Sequence, residues 1–297
     1  MTAEPAVTAI SSEEAQEACR RWEEEFTRFE QIDETTFIAP GREPWPGSAG
    51  TRIGGPAMIT SAMLMLSQSL GVTNLHSFKA VFFKLGDQRL PTRYQFEPLR
   101  DSRNCITRGV KVSQEGQLCA TLTLSFTTLW EGLAHQFVEA PEFGNPLTNP
   151  EMWVVANMPS RPDSMVVEIR MAVTAESPRL RAYFRLLPAF SSNPVWRAAV
   201  RASMTDGPVA ATPIHYHGLP HRSGVSLDHQ VWFHRPLSFD GWNLFDLSSD
   251  IAVGNRMLVQ GRIWDEHGVL HATVMQEVSY RPPGNVGGPV PRSSREV

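Results

Sequence analysis

Ile59, Ala62, Met63, Leu66 and Leu70 fall at the i, i+3, i+4, i+7, i+11 spacing of one helical face, and Gly71 stops the run. This predicts an amphipathic helix. The segments His76 to Lys84, Arg93 to Leu99, Ile106 to Ser113 and Leu118 to Thr128 then carry the β-branched and aromatic content of strands, with turns between them. The pattern returns in the second half. Asn193 is a good N-cap and Pro194 a good first-turn residue for a helix presenting Trp196, Ala199, Val200 and Met204 on one face and ending near Gly207. Strands follow at Val225 to His234, Leu244 to Ser248, Arg256 to Asp265 and Leu270 to Tyr280, with Val166 to Thr174 as a leading strand. A further amphipathic helix, Glu13 to Glu30, puts Trp22, Phe26 and Phe29 on one side and is expected to cover an outer surface.

The two halves share more than element order. Gln114-Glu115-Gly116-Gln117-Leu118-Cys119-Ala120-Thr121-Leu122 and Glu266-His267-Gly268-Val269-Leu270-His271-Ala272-Thr273-Val274 each run from a glycine turn into a Leu-x-Ala-Thr-apolar strand. The offset, 268 − 116 or 270 − 118, is 152, about half of the 297 residues. Duplication of one helix-on-antiparallel-sheet unit accounts for it, whereas a solenoid would repeat every ~20 to 50 residues. The class is therefore α+β. The boundaries expected are a first unit at 1–139 with the N-terminal helix, a proline-rich linker at 140–162, a second unit at 163–281 and a disordered tail at 282–297.

Composition narrows the partners. The chain is 41% hydrophobic and 20% charged, so it can bury a large core. Its net charge of −4, without basic clusters, argues against nucleic acid. The most apolar stretch, Ala57 to Leu70, holds Thr60, Ser61, Ser67, Gln68 and Ser69 and falls short of the ~20 residues a membrane span needs. No basic and apolar leader precedes it, so a cytoplasmic location and no membrane partner are expected. Cys19, Cys105 and Cys119 form no CxxC pair and read as reduced packing residues. GxSxG, GxGxxG and GxxxxGK[ST] are absent, leaving no support for a serine elbow or a nucleotide cofactor. His215, His217 and His221 crowd a Pro/Gly-rich loop without regular spacing or a carboxylate pair, which favours a substrate-lining or solvated loop over a metal site. No cofactor and no metal are expected.

Ser226-Leu227-Asp228-His229-Gln230-Val231-Trp232-Phe233-His234-Arg235-Pro236 closely resembles the second-half signature of the acyl-CoA thioesterase II family. His76-Ser77-Phe78, Gly86-Asp87, Leu99-Arg100-Asp101, Arg108 and Gln276-Glu277 resemble its further elements, so the likeness runs from about Gly54 to Tyr280. The resemblance implies a double hotdog fold and a mechanism in which water attacks a thioester carbonyl. An Asp, a Ser/Thr and a Gln hold the water, and a helix N-terminus takes up the oxyanion charge. It assigns Ser226 and Gln276 to catalysis. Counting back 22 residues from Ser226, the position expected to hold the Asp is Met204, a thioether that cannot accept a proton from water. Asp206 lies two residues on, about 200° round a helix, and serves as the third catalytic residue if the helix ends early at Gly207. Gly54-Gly55-Pro56 stands for the family's Gly-Gly-Gln and Ser125-Phe126-Thr127 for its Ser-Phe-Gln.

Three functions follow from these residues. The first is hydrolysis of a thioester of a hydrophobic acyl group. The second is a repurposed cyclase, isomerase or dehydratase of secondary metabolism acting on a polyketide- or terpenoid-like substrate in an apolar tunnel, which loss of the Asp would favour. The third is a non-catalytic acyl-binding protein. In each, Gly55, Met204, Asp228, His229, His215 and His217 are candidate substrate-binding residues, and homo-oligomerisation is an expected option.

Overall fold

The computed structural model describes residues 11–43, 51–148, 153–155, 166–173, 177–219, 224–237 and 240–280. Helix α1 (Ser12–Phe26) leads into strands β1 (Glu30–Gln31), β2 (Thr36–Ala39) and β3 (Arg52–Ile53), then helix α2 (Gly55–Leu70). Strands β4 (Leu75–Phe82), β5 (Gly86–Asp87), β6 (Thr92–Ser102), β7 (Cys105–Gln114) and β8 (Gln117–Thr127) complete the first half. The second contains β9 (Trp153–Val155), β10 (Val167–Val173), β11 (Arg179–Leu186), α3 (Pro194–Met204), α4 (Ala211–Tyr216), β12 (Gly224–Ser226), β13 (Asp228–Phe233), β14 (Asn243–Val253), β15 (Arg256–Asp265) and β16 (Leu270–Tyr280). The expected tail after Arg281, His221, and much of the expected linker lie outside the described residues.

One antiparallel sheet runs in the order β1-β2-β6-β7-β8-β4-β13-β16-β15-β14-β11-β10-β9, with β12 paired to β16. The two halves meet at β4 and β13, where His229 faces Ala80 and Val231 faces Phe78. The fold is the expected double hotdog, an α+β pair of units sharing one sheet. Strand β9, within the stretch read as linker, instead extends the sheet edge beside β10. Strand β11 has no counterpart in the sequence reading, because its arginines look too polar for a strand. Arg181 pairs across to Asp246 on β14, and Arg185 pairs with Glu168 on β10, so these charges face strand neighbours while Leu180, Ala182 and Phe184 are buried.

Helix α2 differs from a one-faced amphipathic helix. Every residue from Pro56 to Ser67 is buried: its apolar side chains share one core with strand residues such as Phe78, Val110 and Leu124, and α3 packs against it. Only its last turn emerges, and Gly71 ends it in the left-handed conformation at φ 65°. Helix α3 begins where expected, since the Asn193 side chain accepts from the amides of Val195 and Trp196. Helix α1 starts with a reciprocal Ser11–Glu14 capping box. It stops earlier than expected, at Phe26, because the Thr27 hydroxyl and amide both donate to the Glu23 carbonyl. Rather than only covering a surface, α1 drives Trp22 wholly into the core, edge-on against Phe190 and beside Trp196.

Candidate active site

The site begins with how α3 ends. After Met204 the backbone tightens into i→i−3 hydrogen bonds: Thr205 to Ala202 (3.3 Å), Asp206 to Ser203 (3.2 Å) and Gly207 to Met204 (3.3 Å). The Thr205 hydroxyl also donates to the Ala202 carbonyl at 2.7 Å, closing the last turn. The early end separates two residues that a continuing helix would have held in fixed relation. Met204 stays in the apolar core at 4% exposure, four residues on from the buried Val200. Asp206, also buried, turns to the first turn of α2. Its Oδ2 stands 2.8 Å from the point a Cβ on Gly55 would occupy, and the Phe82 ring stands 2.7 Å from the same point. Glycine at 55 is therefore required by close approach.

The start of α2 is built to face such a group. Gly54 caps it without a side-chain hydrogen bond, and Pro56 has no N–H to give. The amides of Gly55 and Ala57, as first-turn groups, have no acceptor within the helix, and they carry the positive end of its dipole.

A bulge in the opposite strand supplies the remaining side chains. Ser226 on β12 faces Val278 and Gln230 on β13 faces Met275, so four steps along one strand oppose three along the other. The extra residue is Leu227, whose amide donates to the Glu277 carbonyl at 2.8 Å and whose carbonyl accepts from Phe82. The Asp228 carboxylate accepts the Glu277 amide at 2.8 Å and pins the irregularity. This brings Gln276 Nε2 to 2.5 Å from Ser226 Oγ, as donor. Continuing the β13–β16 register puts His229 beside Gln276.

His229 is fully buried, with its ring 5.4 Å from that of Phe78 and its Nε2 2.9 Å from Thr205 Oγ1. Burial pushes the imidazole below its ordinary pKa, against the opposing pull of Asp206, Gln276 and Asp228. Two buried side-chain atoms in this cluster, His229 Nδ1 and Gln276 Oε1, have no partner in hydrogen-bond geometry among the described residues.

The structure thus gathers Gly55, Asp206, Ser226, His229 and Gln276, with Asp228 in a backbone-pinning position. Met204 lies in the core instead. His215 falls in the short helix α4 rather than in an irregular loop, and its side chain lies outside the described residues. His217 is exposed and stacks edge-on against Tyr216, away from the buried cluster. Arg235 gives a guanidinium N–H to the Leu270 carbonyl at 2.9 Å. Thr205 was missed by sequence reasoning; the available signal was a hydroxyl residue between Met204 and Asp206 at a helix end.

The chain is similar to known proteins over most of its length. The family models for the N-terminal and C-terminal acyl-CoA thioesterase domains match residues 42–127 and 137–280. Acyl-coenzyme A thioesterase 8 of Homo sapiens is 28% identical, covering 84% of this chain and 85% of its own length. Acyl-CoA thioesterase 2 of Haemophilus influenzae is 27% identical, covering 68% of this chain and 78% of its own. Among solved structures, the tesB protein of Mycobacterium avium subs paratuberculosis superposes with a TM-score of 0.74 at 21% identity, covering 89% of this chain and all of that one. The acyl-CoA thioesterase II TesB2 of Mycobacterium marinum gives 0.71 at 24% identity, covering 88% and 99%. The two domain models lie in tandem across both halves of the sheet, and this chain belongs to the acyl-CoA thioesterase family.

Proposed function

We propose that this chain hydrolyses acyl-CoA thioesters, with Asp206, Ser226 and Gln276 as the catalytic side chains. The observation that carries the reading is the Asp206 carboxylate, turned onto the first turn of α2 beside Gly55. The hydrogen-bonded Ser226–Gln276 pair, in the same buried cluster as Asp206, supports it. In this reading the thioester carbonyl points at the α2 N-terminus, where the Gly55 and Ala57 amides receive the charge that develops on oxygen. Gln276, oriented by Ser226, holds the attacking water through its amide oxygen. Asp206 supplies negative charge next to it. The water oxygen bonds to the acyl carbon, the carbon–sulfur bond breaks, and the proton lost by water ends on the departing thiolate.

The names of the relatives, each an acyl-CoA thioesterase, support this substrate class. The cyclase alternative drew on an apolar tunnel and a missing carboxylate, and the Asp206 carboxylate buried beside Gly55 weighs against the second of these. Release of free thiol from a panel of short to long acyl-CoAs tests the reading. Wild type turns over, and Asp206→Asn and Gln276→Ala each lose about 100-fold or more in kcat while still binding substrate. Variants as fast as wild type would refute these assignments, and binding without turnover by wild type would make the chain an acyl-binding protein.

A further inference from the structure

The hydrogen bonds around His229 fix its tautomer. Thr205 Oγ1 spends its only proton on the Ala202 carbonyl, so toward His229 it is an acceptor and Nε2 must carry the hydrogen. Nδ1 is then a bare lone pair in a fully buried ring, with no partner in hydrogen-bond geometry among the described residues. Gln276 adjoins it with Nε2 given to Ser226 and Oε1 likewise unpartnered and buried. Two adjacent buried acceptors without a donor carry a large desolvation cost, and one molecule that donates two hydrogens satisfies both. Water is such a molecule, and both atoms belong to the cluster already described.

We infer that His229 is a further catalytic residue, the general base that takes the proton of the attacking water at Nδ1, with Thr205 positioning it through Nε2. The inference rests on the hydrolase reading. Water donates one hydrogen to Gln276 Oε1 and the other to His229 Nδ1. As its oxygen bonds to the acyl carbon, the second proton passes to Nδ1, leaving an imidazolium and a tetrahedral oxyanion. Collapse breaks the carbon–sulfur bond, and the imidazolium returns the proton to sulfur, giving acid, thiol and neutral His229. No further reactant is needed.

The groups facing the ring agree with this cycle. Phe78 from β4 keeps it dry; Thr205 and Asp206 come from the turn after α3, Gln276 from β16 and Asp228 from its own strand. Burial keeps the resting imidazole neutral, while Asp206 and Asp228 stabilise the cation formed during turnover.

The test is the pH profile of acyl-CoA hydrolysis, with nitrogen NMR of histidine-labelled enzyme beside it. Wild-type kcat falls on the acid side through a pKa below the ordinary value of ~6.5, and Asp206→Asn moves that limb further to acid because it removes a charge favouring the cation. His229→Gln loses about 100-fold or more in kcat and loses the limb. Thr205→Val lowers kcat about tenfold at unchanged KM, as expected of a positioning residue. In the wild-type spectrum His229 is the Nε2–H tautomer, a readout that needs no variant to fold. A Nδ1–H tautomer, or a folded His229→Gln that hydrolyses near the wild-type rate with the limb intact, overturns the inference and leaves the hydrolase reading standing. Wild type without hydrolysis overturns both.

Discussion

Met204 and Asp206 are two residues apart and do opposite things, and what separates them is three short hydrogen-bonded turns after α3. A carboxylate placed at 204 would enter the core around Val200, at 4% exposure. Met204→Asp is therefore expected to lower stability by about 3 kcal/mol or more, through a buried charge and a lost apolar side chain, and to bring no gain in thioester hydrolysis. Urea denaturation beside the thiol-release assay checks it. A stable variant hydrolysing faster than wild type would show that position 204 faces the substrate after all. Ser226, Gln276 and His229 were legible in sequence because a strand signature carries them in fixed register. The candidate acid was less so, since the counted position holds Met204 and the direction in which Asp206 turns is decided by the tight turn after α3. Thr205 was invisible because its part is a hydrogen bond to a side chain 24 positions away.

Elements read best where a local signal and the tertiary setting agree. Asn193-Pro194 and Gly71 mark helix ends by backbone chemistry alone, and the structure keeps both. They read worst where the setting overrides the local pattern. Helix α2 is enclosed on all sides, so its apolar face in sequence understates its burial, and the arginines of β11 hide a strand whose charges are matched across the sheet. Helix α1 shows the same override at its partner end. Trp22 reaches across to Phe190 and to Trp196 of α3, with ring centroids 4.9 and 6.0 Å away, so an N-terminal element is fastened to the second half of the chain. Trp22→Ala should cost about 3 to 5 kcal/mol by leaving a cavity among these rings. A shift in denaturation midpoint worth less than about 1 kcal/mol would mean that α1 is only draped over the surface.

At the scale of the whole molecule, the β4–β13 seam makes one site out of two repeats. Gly55, Phe78 and Phe82 come from the first half and Asp206, Ser226, His229 and Gln276 from the second, so neither half holds the cluster alone. The repeat does not build a second one. Applying the offset, 276 − 152 = 124, the place of Gln276 is taken in the first half by the buried Leu124. His76, 153 residues before His229 and so one off the repeat offset, is only half-buried and lies 3.8 Å from Cys105 Sγ. What the halves share is histidines whose protonation burial opposes. Burial lowers the pKa of His76, His229 and His271, and of His234, where Arg235 adds to it; Asp265 opposes the shift at His271 without reversing it. Each lowered imidazole makes the unfolded chain the better proton binder below its ordinary pKa of ~6.5. Stability from this source is complete above that pH and is lost as pH falls through the lower folded values. Asp265 and Asp240 act later. Burial would raise both, but backbone amides and His271 at Asp265, and Arg197 and Arg201 at Asp240, leave them below the usual carboxylate range. Their contribution goes only as pH drops below ~4. Thermal denaturation should therefore show a melting temperature that already declines between pH 7 and pH 5, and His229→Gln should decline less over the same interval. A wild-type melting temperature flat from pH 7 to pH 5 would mean that the histidines are as easily protonated in the folded chain as in the unfolded one, and that the water-excluding environment argued for His229 does not exist.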